Sequence, residues 1–165
     1  MARTRMTDAD RPEVARFIEQ HWNSKVVMSR GRTFTPHQED GFLERRKDEL
    51  VGLITFRIDE EGMELLTENS TLAGQGIGSA LLLETINLAR KESCPKVWLT
   101  TTNDRLRAIR FYQRLGFRMT NINVGVVDEA RKIKPQIPEI GEGGIAVHDE
   151  IVLELAVQPY LDARG

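Results

Sequence analysis

Cysteine is almost missing from this chain of 165 residues, with Cys94 its only one. That excludes an internal disulfide and fits a reducing compartment. His21, His37 and His148 share no metal-ligand spacing, so no zinc or other metal site is expected. Long apolar runs are absent as well. Nothing approaches the ~20 residues that a membrane-spanning helix needs, and the start Met1-Ala2-Arg3-Thr4-Arg5 has no signal-peptide core. No membrane partner is expected, and a cytoplasmic location is. Charge of one sign is not in excess: 23 Lys and Arg stand against 25 Asp and Glu, a net charge of −2. This balance offers no general reason to expect nucleic acid as a partner. Without repeats, low-complexity tracts or a linker, residues 1–165 read as one domain with a real core.

What the chain does have is glycine at alternate positions in Leu72-Ala73-Gly74-Gln75-Gly76-Ile77-Gly78-Ser79-Ala80-Leu81-Leu82, followed at once by a helix-like apolar run. Glycine allows unusual dihedrals and close approach of a ligand to the main chain. A helix beginning inside such a loop aims unpaired amides, and the positive end of its dipole, at whatever lies in front. That arrangement suits phosphate or pyrophosphate. The dinucleotide fingerprint G-x-G-x-x-G fails, because its last place falls on Ser79 or Leu81, and a Walker loop fails for want of lysine. The plain alternative is a flexible turn before a helix.

Along the chain, Asp10, Pro12 and Glu13 predict a helix start with an Asp-x-x-Glu capping box, and Val14, Phe17, Ile18 and Trp22 form its apolar stripe. Val26 to Arg32 reads as a short extended segment running into a turn. Leu50 to Ile58 and Met63 to Thr67 read as antiparallel strands joined at Asp59-Glu60-Glu61-Gly62. The helix after the glycine loop is expected to reach about Glu92, and Lys96 to Thr101 to form the next strand. Asn103-Asp104 opens a further helix that carries Ala108, Ile109, Tyr112 and Leu115 on one side and stops at Gly116. Phe117 to Val127 looks strand-like, Asp128 to Lys132 adds a helical turn, residues 134–144 make a proline- and glycine-rich loop, and Glu150 to Val157 a last strand. The order predicts an α/β or α+β fold with a mixed sheet.

Strand, glycine loop, helix, strand, then Asn103-x4-Ala108-x3-Tyr112-x3-Gly116-Phe117 is more specific than the loop alone. Together these motifs resemble the GNAT superfamily of N-acetyltransferases, over roughly Asp10 to Leu155. The segment Lys134-Pro135-x-Ile137-Pro138-x-Ile140-Gly141-Glu142-x-Gly144-Ile145 is similar to a bacterial subgroup with poorly defined substrates. Two positions depart from the family pattern. Ala73 stands where Gln or Arg is usual, and Arg105 where an asparagine commonly contacts coenzyme A, with Asn103 two residues earlier.

The resemblance implies a mostly antiparallel sheet splayed at its middle, flanked by helices, with acetyl-coenzyme A (acetyl-CoA) entering between the strands 63–68 and 96–101. It implies that the backbone of Leu66, Thr67 and Glu68 pairs with the pantetheine arm. The amides of Gly74, Gln75, Gly76, Ile77, Gly78 and Ser79 would hold the pyrophosphate, and Asn103, Arg105, Ala108, Phe111 and Tyr112 would line the coenzyme. Tyr112 is the candidate acid for the leaving thiolate, its alternative being a core tyrosine. Glu64 and Glu68, placed on one strand face by period-two alternation, are candidate bases; the alternatives are exposed charges or water alone. The acceptor, a small-molecule or peptide amine, is expected to meet residues 22–35 and 134–148. Trp22, otherwise a core residue, and Arg30, otherwise a solvated charge, are the substrate-binding candidates there. The implied activity is acetyl-CoA-dependent N-acetyl transfer, with a homodimer possible. The alternatives are an acyl-CoA-binding sensor without turnover and a structural subunit that binds a partner through the 134–144 loop.

Overall fold

The computed structural model describes residues 2–158. Its elements in chain order are β1 (Ala2–Arg5), α1 (Arg11–Trp22), β2 (Val27–Ser29), β3 (Arg32–Phe34), β4 (Asp40–Arg46), β5 (Glu49–Asp59), β6 (Gly62–Ser70), α2 (Ile77–Lys91), β7 (Lys96–Thr102), α3 (Leu106–Arg114), β8 (Arg118–Asn123), α4 (Val126–Ile133) and β9 (Glu150–Ala156). This is an α/β fold whose strand pairing is mostly antiparallel. The described residues form two compact units, one of residues 2–27, 34–97 and 157–158, the other of 28–33 and 98–156.

In the first unit β1, β4, β5 and β6 pair in that order, each antiparallel to the next. The stripe read from the sequence forms the core on one face: Val14, Phe17 and Ile18 of α1 pack with Met6, Leu43, Leu50 and Leu53, and half-buried Trp22 leans on this cluster. The start of α1 differs in detail. Asp10 makes no side-chain cap to α1. Its carboxylate instead takes hydrogen bonds from the Thr7 amide (2.8 Å) and hydroxyl (2.9 Å) and an ion pair from Arg45 (3.0 Å). Arg45 holds Glu13 as well (2.8 Å), so both expected cap residues serve a tertiary contact.

Strands β1, β3 and β4 were not legible in the sequence. β4 carries Glu44 into a fully buried position, where Arg3 (3.2 Å) and Arg46 (3.4 Å) neutralise it. A charge in a core position breaks the apolar alternation that betrays a strand. Gly52 of β5 lets α2 lie close: a Cβ there would meet Ile77 Cγ2 at 2.5 Å and Leu81 Cδ1 at 3.0 Å.

In the second unit β8 pairs antiparallel with β9. The chain turns from α3 through Gly116 (φ 97°), the left-handed stop expected there. α3 starts at Leu106, three residues later than expected, because Asn103 and Asp104 are held in a turn by their side chains. α4 starts at Val126 within the expected strand, after Gly125 (φ 75°), whose amide donates to Asp149 Oδ1 at 2.9 Å. The loop after α4 is pinned from inside. The Arg131 guanidinium donates to the carbonyls of Ile137 (3.1 Å), Pro138 (3.0 Å) and Val147 (2.8 Å). Asp104 accepts from the Glu142 amide at 3.0 Å, and its carboxylate fills the space that a Cβ at Gly141 would need.

Candidate functional site

The glycine loop belongs to the first unit. Gly74 (φ 73°) and Gly76 (φ 72°) are in the left-handed region, and a Cβ on either would meet nothing within 4 Å. Space for a ligand is therefore open on the glycine side, where the backbone conformation itself demands glycine. Gly76 is the N-cap of α2, and the first intrahelical bond runs from the Ala80 amide to the Gly76 carbonyl at 3.0 Å. The amides of Ile77, Gly78 and Ser79 precede it and have no acceptor in their own helix. No acidic residue stands in that first turn to compete with an anion. Gly78 and Ser79 lie inside the helix rather than in the loop, so the amide cradle is the helix terminus itself.

Arg46, at the end of β4, hydrogen-bonds the Gln75 side chain while also touching Glu44. It brings a guanidinium beside a loop that has Ala73 where the family uses a polar side chain. Nothing in the local sequence pointed to Arg46, because its strand was not recognised.

The strand feeding the loop holds a correction. Thr55 faces Thr67 and Phe56 faces Leu65, so Leu66 is an extra residue on β6. Such a bulge reverses the alternation beyond it. Glu64 lies opposite Arg57 and Glu68 opposite Ile54, three positions apart on β5, which puts the two carboxylates on opposite faces. Thr55 and Thr67 share Arg57's face, their hydroxyls 2.7 Å apart. Glu64 is buried (1% exposed) and Glu68 half-buried. They do not form one base site. Leu66 packs with Val27 and Phe34, and Trp22 joins them, its indole donating to Asn69 Oδ1 at 2.6 Å.

The remaining candidates lie in the second unit. Tyr112 is buried on α3 between two rings, Phe111 at 5.0 Å and Phe117 at 5.3 Å, both edge-on. Ala108 and Phe111 are half-buried. Asn103 does not present its side chain to a ligand as expected. Its Oδ1 accepts from the amides of His148 and Asp149 (both 3.0 Å) and its Nδ2 donates to the Ala146 carbonyl (2.8 Å). Arg105 is exposed and sits 3.8 Å from Glu142. Arg30 occupies the tip of the β2–β3 hairpin with φ 52°, next to Gly31 at φ 74°. Its guanidinium lies over the Trp98 ring at 4.9 Å, and its amide donates to Glu150 Oε1 at 3.1 Å.

Other reactive groups have quieter roles. Burial, then the charge of Glu92, pushes the Cys94 thiol up, which keeps it protonated and passive. His148 Nδ1 pairs with Asp128 at 2.9 Å, and His21 Nδ1 with the Phe17 carbonyl at 2.8 Å. Among the described residues no three His, Cys, Asp or Glu side chains cluster as metal ligands, and no helix is long and apolar enough to cross a membrane.

Residues 5–117 match the acetyltransferase (GNAT) family. The uncharacterized protein YdhI of Bacillus subtilis (strain 168) is 34% identical over 142 residues, spanning 86% of this chain and 89% of that one. The chain belongs to the GNAT acetyltransferase family. Its fold is that of a GNAT acetyltransferase from Elizabethkingia anophelis solved with acetyl-CoA (TM-score 0.65, 22% identity, covering 94% of this chain and 97% of that one). It is equally that of a Bacillus subtilis acetyltransferase solved with CoA (TM-score 0.65, 18% identity, covering 95% and 97%). Both of these neighbours were solved with coenzyme A or its acetyl thioester bound.

Proposed function

We propose that this GNAT protein is an acetyl-CoA-dependent N-acetyltransferase that transfers the acetyl group directly to the amine of a small molecule or peptide, the whole chain acting as one domain. The observation that carries the reading is the loop at Gly74 and Gly76, which presents the α2 amides to open space with no acidic residue in the first turn. When bound, acetyl-CoA supplies the acetyl group as an activated thioester. The amides of residues 74–79 hold its pyrophosphate, with Arg46 adding a positive charge beside them. The bulge leaves Leu66 outside the β5 ladder, and the main chain of Leu66, Thr67 and Glu68 runs beside the pantetheine arm. Tyr112, its ring fixed edge-on by Phe111 and Phe117, gives a proton to the departing thiolate.

Calorimetric titration with acetyl-CoA and with its 3′-dephospho analogue tests the reading. Micromolar binding is expected. Tyr112→Phe should leave that affinity within about twofold and lower kcat on the order of 100-fold. Binding without turnover on any amine would instead make the protein an acyl-CoA sensor. No binding at all would end the coenzyme reading.

A further inference from the structure

The glycine loop is anchored at both ends. At its entry the Thr71 amide donates to the Val51 carbonyl at 2.9 Å, and Ser70 Oγ donates to the Leu72 carbonyl (3.1 Å) while accepting from the Leu72 amide (3.2 Å). At its exit Ile77 is buried, lying where a side chain at Gly52 would have to be. Between these anchors Ala73, Gly74, Gln75 and Gly76 are all exposed. Glycine has the most backbone freedom to lose, and Ala73, Gly74 and Gly76 offer no polar side chain. Gln75 is therefore the residue whose side chain can tie this stretch down by a hydrogen bond. Its Oε1 accepts from Arg46 Nη1. The far end of that contact is fixed. Arg46 Nη2 donates to Glu44 Oε2 at 3.4 Å, and Glu44 is fully buried, with Arg3 on its other oxygen at 3.2 Å. Arg46 also stands opposite Glu49 in the β4–β5 register, and β4 is paired on both sides, with β1 and β5. A guanidinium has separate N–H groups for separate partners, so one edge rests on the buried carboxylate while another reaches the loop.

We propose that Arg46 and Gln75 form a strut that holds the loop in its receptive shape before the coenzyme arrives. Gln75 is thus a positioning residue that acts through the backbone amides on either side of it. The inference rests on the acetyl-CoA reading above. Ordering a loop in advance removes an entropic cost from binding. The strut also gives a loop with Ala73 at its start a polar support from β4, which its own side chain at 73 does not provide. A contact that merely occupied Arg46 would have the opposite effect. Phosphate oxygens would then have to displace Gln75 from the guanidinium, and removing the glutamine would tighten binding. The sign of the change separates a strut from a competitor.

Acetyl-CoA is titrated by calorimetry into the wild type, Gln75→Ala, Arg46→Ala and the double variant, each at several salt concentrations. Gln75→Ala should bind about threefold more weakly, the loss of one hydrogen bond's worth of ordering. Its dependence on salt should match that of the wild type, because no charge has been removed. Arg46→Ala should flatten that dependence, and adding Gln75→Ala to it should weaken binding by no more than about 1.5-fold, since the two residues act as one contact. In the coenzyme-free protein, backbone order parameters of residues 73–76 should fall in both single variants. Gln75 is exposed, so Gln75→Ala should melt with the wild type, which separates a positioned loop from a stabilised fold. Binding by Gln75→Ala that is unchanged or tighter overturns the proposal alone, as does a further threefold loss in the double variant or order parameters that do not fall. A wild type that fails to bind acetyl-CoA overturns the reading beneath it.

Discussion

The glycine loop leaves main-chain amides open, while the Arg30–Glu150 corner closes around a buried carboxylate, and the two are built from different parts of the chain. At Gly74–Ser79 the recognition groups are main-chain amides, and the side chains that matter are the missing ones. At the corner the Glu150 carboxylate is held by the Arg30 amide and the Asn123 side chain, and the fold brings these distant residues into reach. A site made of amides tolerates a side-chain departure such as Ala73 and is sensitive to anything that alters φ and ψ. A site made of side chains is the reverse. This explains why the loss of the usual Gln or Arg at position 73 does not by itself argue against the coenzyme.

The sharpest way to break the contrast is Gly76→Val. A β-branched residue at φ 72° costs ~1–2 kcal/mol of backbone strain. Moving the α2 amides should weaken acetyl-CoA about tenfold or more by calorimetry, although a Cβ there meets no neighbour within 4 Å. Arg46→Ala should have a smaller effect, about fivefold weaker binding and a shallower salt dependence, as expected of a partly exposed cation worth up to ~1 kcal/mol. Smallest of all, Ala73→Gln should change affinity by less than about threefold. A tenfold gain from Ala73→Gln would mean that the loop depends on side chains as much as the corner does.

How much of this was readable in advance follows the same division. The glycine loop, α2, β5 and β6, and the Tyr112–Gly116–Phe117 ending of α3 show in the sequence as local patterns with local causes. Period-two alternation failed at β6, since the bulge at Leu66 is set by how β6 pairs with β5 and not by any residue type within it. The Asp-x-x-Glu capping box failed because Arg45, arriving from β4, draws both carboxylates away. Asn103 was read as a coenzyme contact, and its side chain instead tethers residues 146–149. Glu150 was read only as the start of a strand. Its importance comes from partners 120 and 27 positions away.

The sequence by itself determined the fold class, the family and the glycine loop that opens α2, because glycine placement and apolar spacing act within a few residues of backbone. Only the tertiary structure decided which face each glutamate takes, which cation stands beside the loop and which distant donors hold the buried Glu150. Those outcomes depend on register and burial between distant segments, and no local spacing encodes them.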